Sequence, residues 1–395
     1  MISKKMENMV KNGSAIRAMF EEGKKMADKY GAENVYDFSL GNPSVEPPED
    51  VKKAIFDVIE NYKPNYVHGY MLNAGYEEVR KAIAENINKR FGTGFEAKNI
   101  VMTVGAAGGM NVIMKSLIDP DDEVVVFSPY FGEYRSYANN FDAKIVEISP
   151  DTSCFQPKLD EFEAKLTSRT KIVIVNSPNN PTGVVYSEDT IKKIAAIMEK
   201  KQKEFGNPIY LLSDEPYREL AFDGVEVPYL TKYYDNTIIG YSFSKSLSLP
   251  GERIGYLAVN PKAKDADLIV PMCGQISRFT GHNCPSSLMQ LAVEPVLYET
   301  SDLSIYEKNA VLLYDALTRI GYTVVKPGGT FYMFPRSPIA DANEFCWTAA
   351  KELGLIIVPG DSFECPGHFR ISYCVPTGQI EKAIPLFEDL FRRFS

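Results

Sequence analysis

The middle of the chain alternates short apolar runs, rich in Val and Ile, with stretches of helical periodicity, and this alternation limits the fold more than any other feature. The runs are NIVMTVG ending at Gly105, EVVVFSP at Pro129, AKIVEIS at Ser149, KIVIVNSP at Pro178, IYLLSDEP at Pro216, TIIGYSFS at Ser244 and RIGYLAVN at Asn260. Several are near-continuous Val, Ile and Leu, as strands covered on both faces should be. Between two of them, Ile191, Ile194, Ala195 and Met198 recur at helical spacing within Glu188–Phe205. Strand–helix alternation predicts an α/β layered domain with a mostly parallel sheet. The ends differ. An amphipathic segment and the stretch LGNPSVEPP open the chain. Past residue 300 come a helical pattern over Ile305–Ile320, strand patterns at Tyr322–Lys326 and Thr330–Phe334, a helix near Ala342–Leu353, then LIIVPG, FRISYCVP and a helix over Ile380–Phe394. This predicts three parts: an N-terminal segment 1–47, a large domain 48–295 and a smaller α+β domain 296–395 with which the first segment packs.

Composition narrows the chemistry. A net charge of −9, with no clustered basic run, argues against nucleic-acid binding. KKQK at Lys200–Lys203 reads as a solvated helix face. Six cysteines without a CxxC pair and only three histidines argue against a metal centre. A Ser-His-Asp triad has no GxSxG elbow to support it. No apolar run approaches the roughly 18 residues of a membrane span. The N-terminus lacks the pattern of a secretory signal. A cytoplasmic protein with reduced thiols is expected.

Four stretches carry chemistry. In SFSKSLSLPGERIGY, Lys245 follows a buried strand and Arg253 comes eight residues later. Ligands bind at such strand ends. A lysine desolvated there has a lowered pKa and favours a Schiff base with a carbonyl, and Ser242, Ser244 and Arg253 are suited to a phosphate. The same pattern also fits a surface lysine in a serine-rich loop. In SDEPY, Asp214 ends an apolar strand, where a carboxylate either caps a loop or neutralises a cation such as a pyridinium; Tyr217 lies three residues on and offers its hydroxyl. In NSPNNPTG, Asn180 belongs either to turn chemistry or to a cofactor contact. In TVGAAGGM, a strand runs through small residues into a helix whose first N–H groups, at Ala106 and Ala107, suit an anion. It is neither a GxGxxG fingerprint nor a P-loop.

Together and in this order, these motifs resemble the class I/II aminotransferases, the fold type I enzymes dependent on pyridoxal 5′-phosphate, over nearly the whole chain. That resemblance implies a large domain with a seven-stranded, mostly parallel sheet between helices, plus a smaller α+β domain. It implies that Lys245 holds the cofactor as a Schiff base and later carries the α-proton, and that Asp214 pairs with the ring nitrogen. Tyr217 and Asn180 would hold the phenolic oxygen; Ser242, Arg253, Ala106 and Ala107 the phosphate. Phe131, rather than Tyr130, matches the ring-stacking aromatic. Arg370 in HFRISYCVP matches the arginine that grips the substrate α-carboxylate, and Gly41 the glycine that closes over it. Tyr70, in Y-x4-G with Gly75, resembles the tyrosine reaching the phosphate of a neighbouring subunit, which implies a homodimer with shared sites. Two departures stand out. NPSVEPP lacks the family's Asp-Phe after the first Pro, and Ala107 stands where a Ser, Thr or Lys is usual.

Specificity rests on Arg278 in QISRFTGHNCPSS. A comparable arginine in aspartate aminotransferases crosses the dimer to pair with the distal carboxylate, which makes aspartate, with 2-oxoglutarate as acceptor, the expected substrate. A surface or interface role fits Arg278 equally. The same residue set serves β-lyases acting on cystathionine or cysteine conjugates, decarboxylases, and aromatic or broad-range aminotransferases. Two other classes remain: a nucleotide-binding oxidoreductase, which leaves Lys245 idle, and a regulatory relative, for which the chain has no basic DNA-binding appendage. No metal, nucleic-acid or membrane partner is expected.

Overall fold

The computed structural model describes residues 2–11, 15–222 and 224–395; residues 1 and 12–14 of the expected N-terminal segment lie outside the described residues. In chain order the strands are β1 (Tyr36–Asp37), β2 (Ile100–Thr103), β3 (Glu123–Phe127), β4 (Lys144–Ile148), β5 (Thr170–Asn176), β6 (Tyr210–Asp214), β7 (Thr237–Ser242), β8 (Gly255–Val259), β9 (Tyr332–Met333), β10 (Leu355–Ile356), β11 (Val358–Pro359) and β12 (Phe369–Ser372).

Every one of the seven apolar runs becomes a strand of a single sheet, in the order β2-β8-β7-β6-β5-β3-β4. All are parallel except β8, which runs against both its neighbours. Along β2, β6, β7 and β8 every residue is buried, which is why those runs show no polar alternation. At the edge, β4 carries Lys144 and Glu147 and is only partly covered. Helices Gly105–Leu117 and Ala266–Phe279 cover one face through Met110, Ile113, Ile269 and Val270. Helix Glu188–Phe205 covers the other through Ile191, Ile194 and Met198. This last helix starts where the Ser187 hydroxyl accepts the Thr190 N–H at 3.1 Å, and it stops at Gly206, whose φ of 73° suits a residue without Cβ.

The C-terminal residues build a three-stranded antiparallel sheet, β11-β12-β9, while β1 pairs in parallel with β10. Met19, Met26 and Phe38 of the N-terminal segment share a core with Phe345, Phe369, Phe387 and Leu390. Here the sequence pattern misleads once: Tyr322–Lys326 forms no strand. Tyr322 turns inward onto Phe345, Phe369, Phe387 and Phe391, and its hydroxyl donates to the Phe387 carbonyl at 3.0 Å. Aromatic packing, not a backbone ladder, claims that segment. Thr330–Phe334 likewise shortens to β9, and LIIVPG breaks into β10 and β11. Among the described residues no helix is long and apolar enough to cross a membrane, and no group of three or more His, Cys, Asp or Glu side chains is arranged to hold a metal.

Candidate active site

Hydrogen-bond register gathers the strand ends. Asn176, the last residue of β5, lies opposite Asp214, the last of β6. Gly255, opening β8, lies between Thr103 of β2 and Ser242 of β7. A methyl group at Gly255 would lie 3.2 Å from the Ser242 Cα and 3.3 Å from the Gly105 carbonyl carbon, so glycine lets three backbones converge. Gly105 has φ 73°, and an added Cβ would be 2.9 Å from the Arg253 Nη2. The guanidinium therefore sits at the start of helix Gly105–Leu117, beside the Ala106 and Ala107 turn. That helix end has no side-chain cap, so its first N–H groups remain open to an anion, beside a fixed positive charge. Arg253 itself takes a left-handed φ of 52°, and its Nη1 donates to the Pro250 carbonyl at 2.9 Å. Ser242 caps the short helix Phe243–Ser246 by accepting from the Ser244 N–H at 3.2 Å, and the two serine hydroxyls are 2.7 Å apart.

Ala106, Ala107, Phe131, Asn180, Asp214 and Tyr217 line one cavity of about 130 Å³. Asp214 is buried. One oxygen, Oδ2, accepts from the Tyr134 hydroxyl, and the other, Oδ1, has no hydrogen-bond partner. Burial pushes its carboxyl up to about 6; the Tyr134 hydrogen bond pulls the other way, and the charge of Glu215 adds to the rise. Phe131 reaches the cavity, whereas Tyr130 is buried with its hydroxyl donating to Glu147 at 2.9 Å, so it is Phe131 that is free to stack. Burial also holds the Tyr217 and Tyr134 hydroxyls far above the usual phenol range.

Lys245, in the short helix after β7, donates from Nζ to the Gly41 carbonyl at 2.5 Å. Burial lowers its ammonium to about 8; Cys374 opposes this, and the charges of Arg253 and Arg370 add to it. Arg370 lies on β12 and is 2% exposed. Its Nη1 donates to Asn180 Oδ1 at 3.0 Å and its Nη2 to the Ser39 carbonyl at 2.6 Å, while Nε has no partner. The Tyr332 and Phe363 rings lie 4.4 and 4.8 Å from its Cζ. No carboxylate among the described residues forms an ion pair with it. A chain of polar contacts joins the two ends of the cavity. The Asn176 amide donates to the Asp214 carbonyl at 2.9 Å, and Asn176 Oδ1 accepts the Asn180 N–H at 2.8 Å.

Tyr70 and Arg278 stay outside this assembly. Tyr70 is 102% exposed, and Arg278 is exposed in the last turn of helix Ala266–Phe279. The structure also brings in residues that sequence reading passed over: Tyr134, Asn176, Ser39 and Tyr332. Tyr134 stands three residues after Phe131 in the SPYFGEY stretch, and Asn176 ends its strand, so both had a positional signal. Ser39 and Tyr332 had none.

A lowered amine and a raised carboxyl at the carboxyl edge of the mostly parallel sheet, linked through Asn180 to a guanidinium on β12 that no described carboxylate neutralises, suit a site that handles amines and carboxylates together. The chain belongs to the aminotransferase class I and II family, whose model matches residues 33–385. It is similar to the "Probable N-acetyl-LL-diaminopimelate aminotransferase" of Bacillus subtilis, 31% identical over 90% of this chain and 89% of that one. It is 30% identical to the aspartate/prephenate aminotransferase of Thermus thermophilus over 90% of each. A solved aminotransferase structure from Eubacterium rectale matches with TM-score 0.96 and 45% identity, covering 100% of this chain and 99% of that one. The fold is that of the fold type I aminotransferases, with a large α/β domain and a smaller α+β domain.

Proposed function

We propose that the protein is a pyridoxal 5′-phosphate-dependent enzyme that moves the α-amino group of aspartate to 2-oxoglutarate, acting as a homodimer. The observation that carries the cofactor is Asp214 Oδ1, a buried acceptor without a partner at the wall of the cavity. A ring nitrogen kept protonated would satisfy it. The other end fits a phosphate: Arg253, Ser242 and the open N–H groups at Ala106 and Ala107 form a positive cradle that a side chain at Gly105 would crowd. When bound, the cofactor supplies the electron sink that lets the α-proton leave.

The chain supplies the rest. Tyr134 orients the Asp214 carboxylate. Phe131 offers a flat face for the ring, and Tyr217 and Asn180 offer donors for its phenolic oxygen. With its pKa lowered to about 8, Lys245 Nζ is neutral in an appreciable fraction of molecules near neutral pH, so it can form the bond to the cofactor and can take and return the α-proton. The Arg370 guanidinium, held against the Tyr332 and Phe363 rings, keeps Nε without a partner and offers that edge to the α-carboxylate. The Tyr332 and Phe363 rings shield that guanidinium from water, and the Phe331 ring lies 5.3 Å from Lys245 Nζ. Gly41, whose carbonyl meets Lys245, comes from the N-terminal segment, which packs with the C-terminal core; this supports division of the chain near 47/48 and 295/296.

Aspartate specificity is supported by Arg278 and by the name of the Thermus thermophilus relative. Arg278 flanks an exposed apolar stripe, Leu268, Met272 and Phe279, on one helix. The loop with exposed Tyr70 and Leu72 abuts that helix where Gly274 meets Asn73. In the proposed homodimer a second copy covers this surface, and Tyr70 and Arg278 serve that copy's cavity. A second reading, an aromatic substrate, is favoured by the aromatic walls and by the lack, among the described residues, of a Lys or Arg lining the chain's own cavity.

Substitution Arg278→Ala tests the choice. The aspartate reading expects kcat/KM for aspartate to fall about 10–100-fold, the size of one lost charged contact, with alanine and phenylalanine little changed. Equal losses on all three would remove it. Release of pyruvate and ammonia from cystathionine, without keto-acid exchange, would instead indicate a β-lyase.

A further inference from the structure

Tyr332 belongs to no motif that pointed to this site, yet it touches both ends of it. In the antiparallel pair β9–β12, Tyr332 lies opposite Ser372, so its side chain shares a sheet face with Arg370, two residues earlier on β12. Its ring lies 4.4 Å from the Arg370 Cζ, with Phe363 at 4.8 Å, so the buried guanidinium is flanked by two rings. Such stacking steadies a cation that has no carboxylate partner. Its hydroxyl lies 3.2 Å from that of Tyr217. A side chain at Gly41 would run into the same hydroxyl, and the Gly41 carbonyl receives the Lys245 ammonium. Tyr332 is buried.

We propose that Tyr332 is a positioning residue that links carboxylate binding to the cofactor's phenolic oxygen: its ring fixes the plane of Arg370, and its hydroxyl donates to Tyr217. The direction follows from Tyr217's own task. A Tyr217 that gives its proton to a phenolic oxygen must accept from its other neighbour, and that neighbour is Tyr332. Donation from Tyr332 strengthens donation by Tyr217, as in any cooperative hydrogen-bond chain. The glycine at position 41 is then required because only a residue without Cβ lets the N-terminal backbone lie against this hydroxyl.

The inference rests on the cofactor assignment above, and two variants of the holoenzyme separate them. Tyr332→Phe keeps the ring and removes the hydroxyl. It should bind propionate, a monocarboxylate that engages one guanidinium alone, within about twofold of the wild type. It should also raise the apparent pKa of the holoenzyme's visible absorbance, because an anionic phenolic oxygen loses part of its support. Tyr332→Leu removes the ring and should weaken propionate about tenfold, equivalent to about 1.4 kcal/mol and within the range of a cation–π contact. The inference is overturned if the Phe variant titrates like the wild type, or if the Leu variant binds propionate like the wild type. Should the Leu variant fail to fold, the Phe titration alone decides. Failure of the cofactor assignment looks different: borohydride reduction of the wild type would then leave no pyridoxyl group on the Lys245 peptide.

Discussion

The two ends of the cavity are built in different ways. The end proposed for the cofactor comes from neighbouring strand ends of one sheet: Asn176, Asp214, Ser242 and Thr103 stand in backbone register. The carboxylate end is assembled from distant pieces. Arg370 Nη2 reaches a carbonyl 331 residues away at Ser39, Tyr332 comes from another strand, and Tyr70 and Arg278 are exposed and do not line the cavity. A ladder of backbone bonds sets the first geometry almost independently of side chains. The second depends on packing between segments and, in the proposed homodimer, would take its specificity from a second copy. Changes at the sheet edge should therefore abolish chemistry on every substrate, whereas changes at the assembled end should alter affinity and choice.

The largest expected effect tests the first half of that contrast. Lys245→Ala removes the amine proposed as both covalent anchor and proton carrier, and should lower kcat by at least about 10⁴-fold, the upper range for a positioned acid–base group. Steady-state assays on aspartate and phenylalanine should show the same loss; a loss confined to one amino acid would break the comparison.

Asp214→Asn should cost about 10²–10³-fold in kcat, as loss of one preorganised electrostatic group does. The same change should stabilise the cofactor-free protein. Burial raises Asp214 from 3.8 to about 6, so between those values the folded chain binds more protons than the unfolded one, and stability falls as pH rises through that window. Above pH 6 the deficit is constant at about 3 kcal/mol. The Asn variant escapes it, so its Tm at pH 7.5 should exceed the wild type by several degrees, with the gap narrowing from pH 6 towards 4. A lower Tm at pH 7.5 would show that the carboxylate is not strained by burial.

At the assembled end, Arg370→Lys should reduce kcat/KM about 10²-fold for every amino acid, through KM more than kcat, because an ammonium cannot present two parallel donors. A fall in kcat alone would place Arg370 with the cofactor rather than with the substrate. The smallest effect is a control away from both ends. Ser187→Ala deletes the cap of helix Glu188–Phe205 and should cost about 1 kcal/mol and a few degrees of Tm, with kcat unchanged.

How far the chain could be read follows the same division. Each of the seven strands was legible because β-propensity and two-sided burial are local patterns, and helix Glu188–Phe205 because its apolar spacing, its Ser cap and its closing Gly all agree. Tyr322–Lys326 was misread because a β-rich composition cannot show that Tyr322 turns into an aromatic cluster formed by four distant rings.

Local pattern was enough to place the seven strands of the large sheet to within a few residues and the reactive side chains close to their ends, since both are written near one another. It took the assembled structure to show that Asp214 keeps one oxygen bound by Tyr134 and the other without a partner, that Arg370 is buried against two rings with no counter-ion among the described residues, and that Tyr70 and Arg278 are exposed. Those facts depend on which residues far apart in the chain come to share a low-dielectric space. Desolvation and partnering there set protonation and affinity, and no local pattern encodes either.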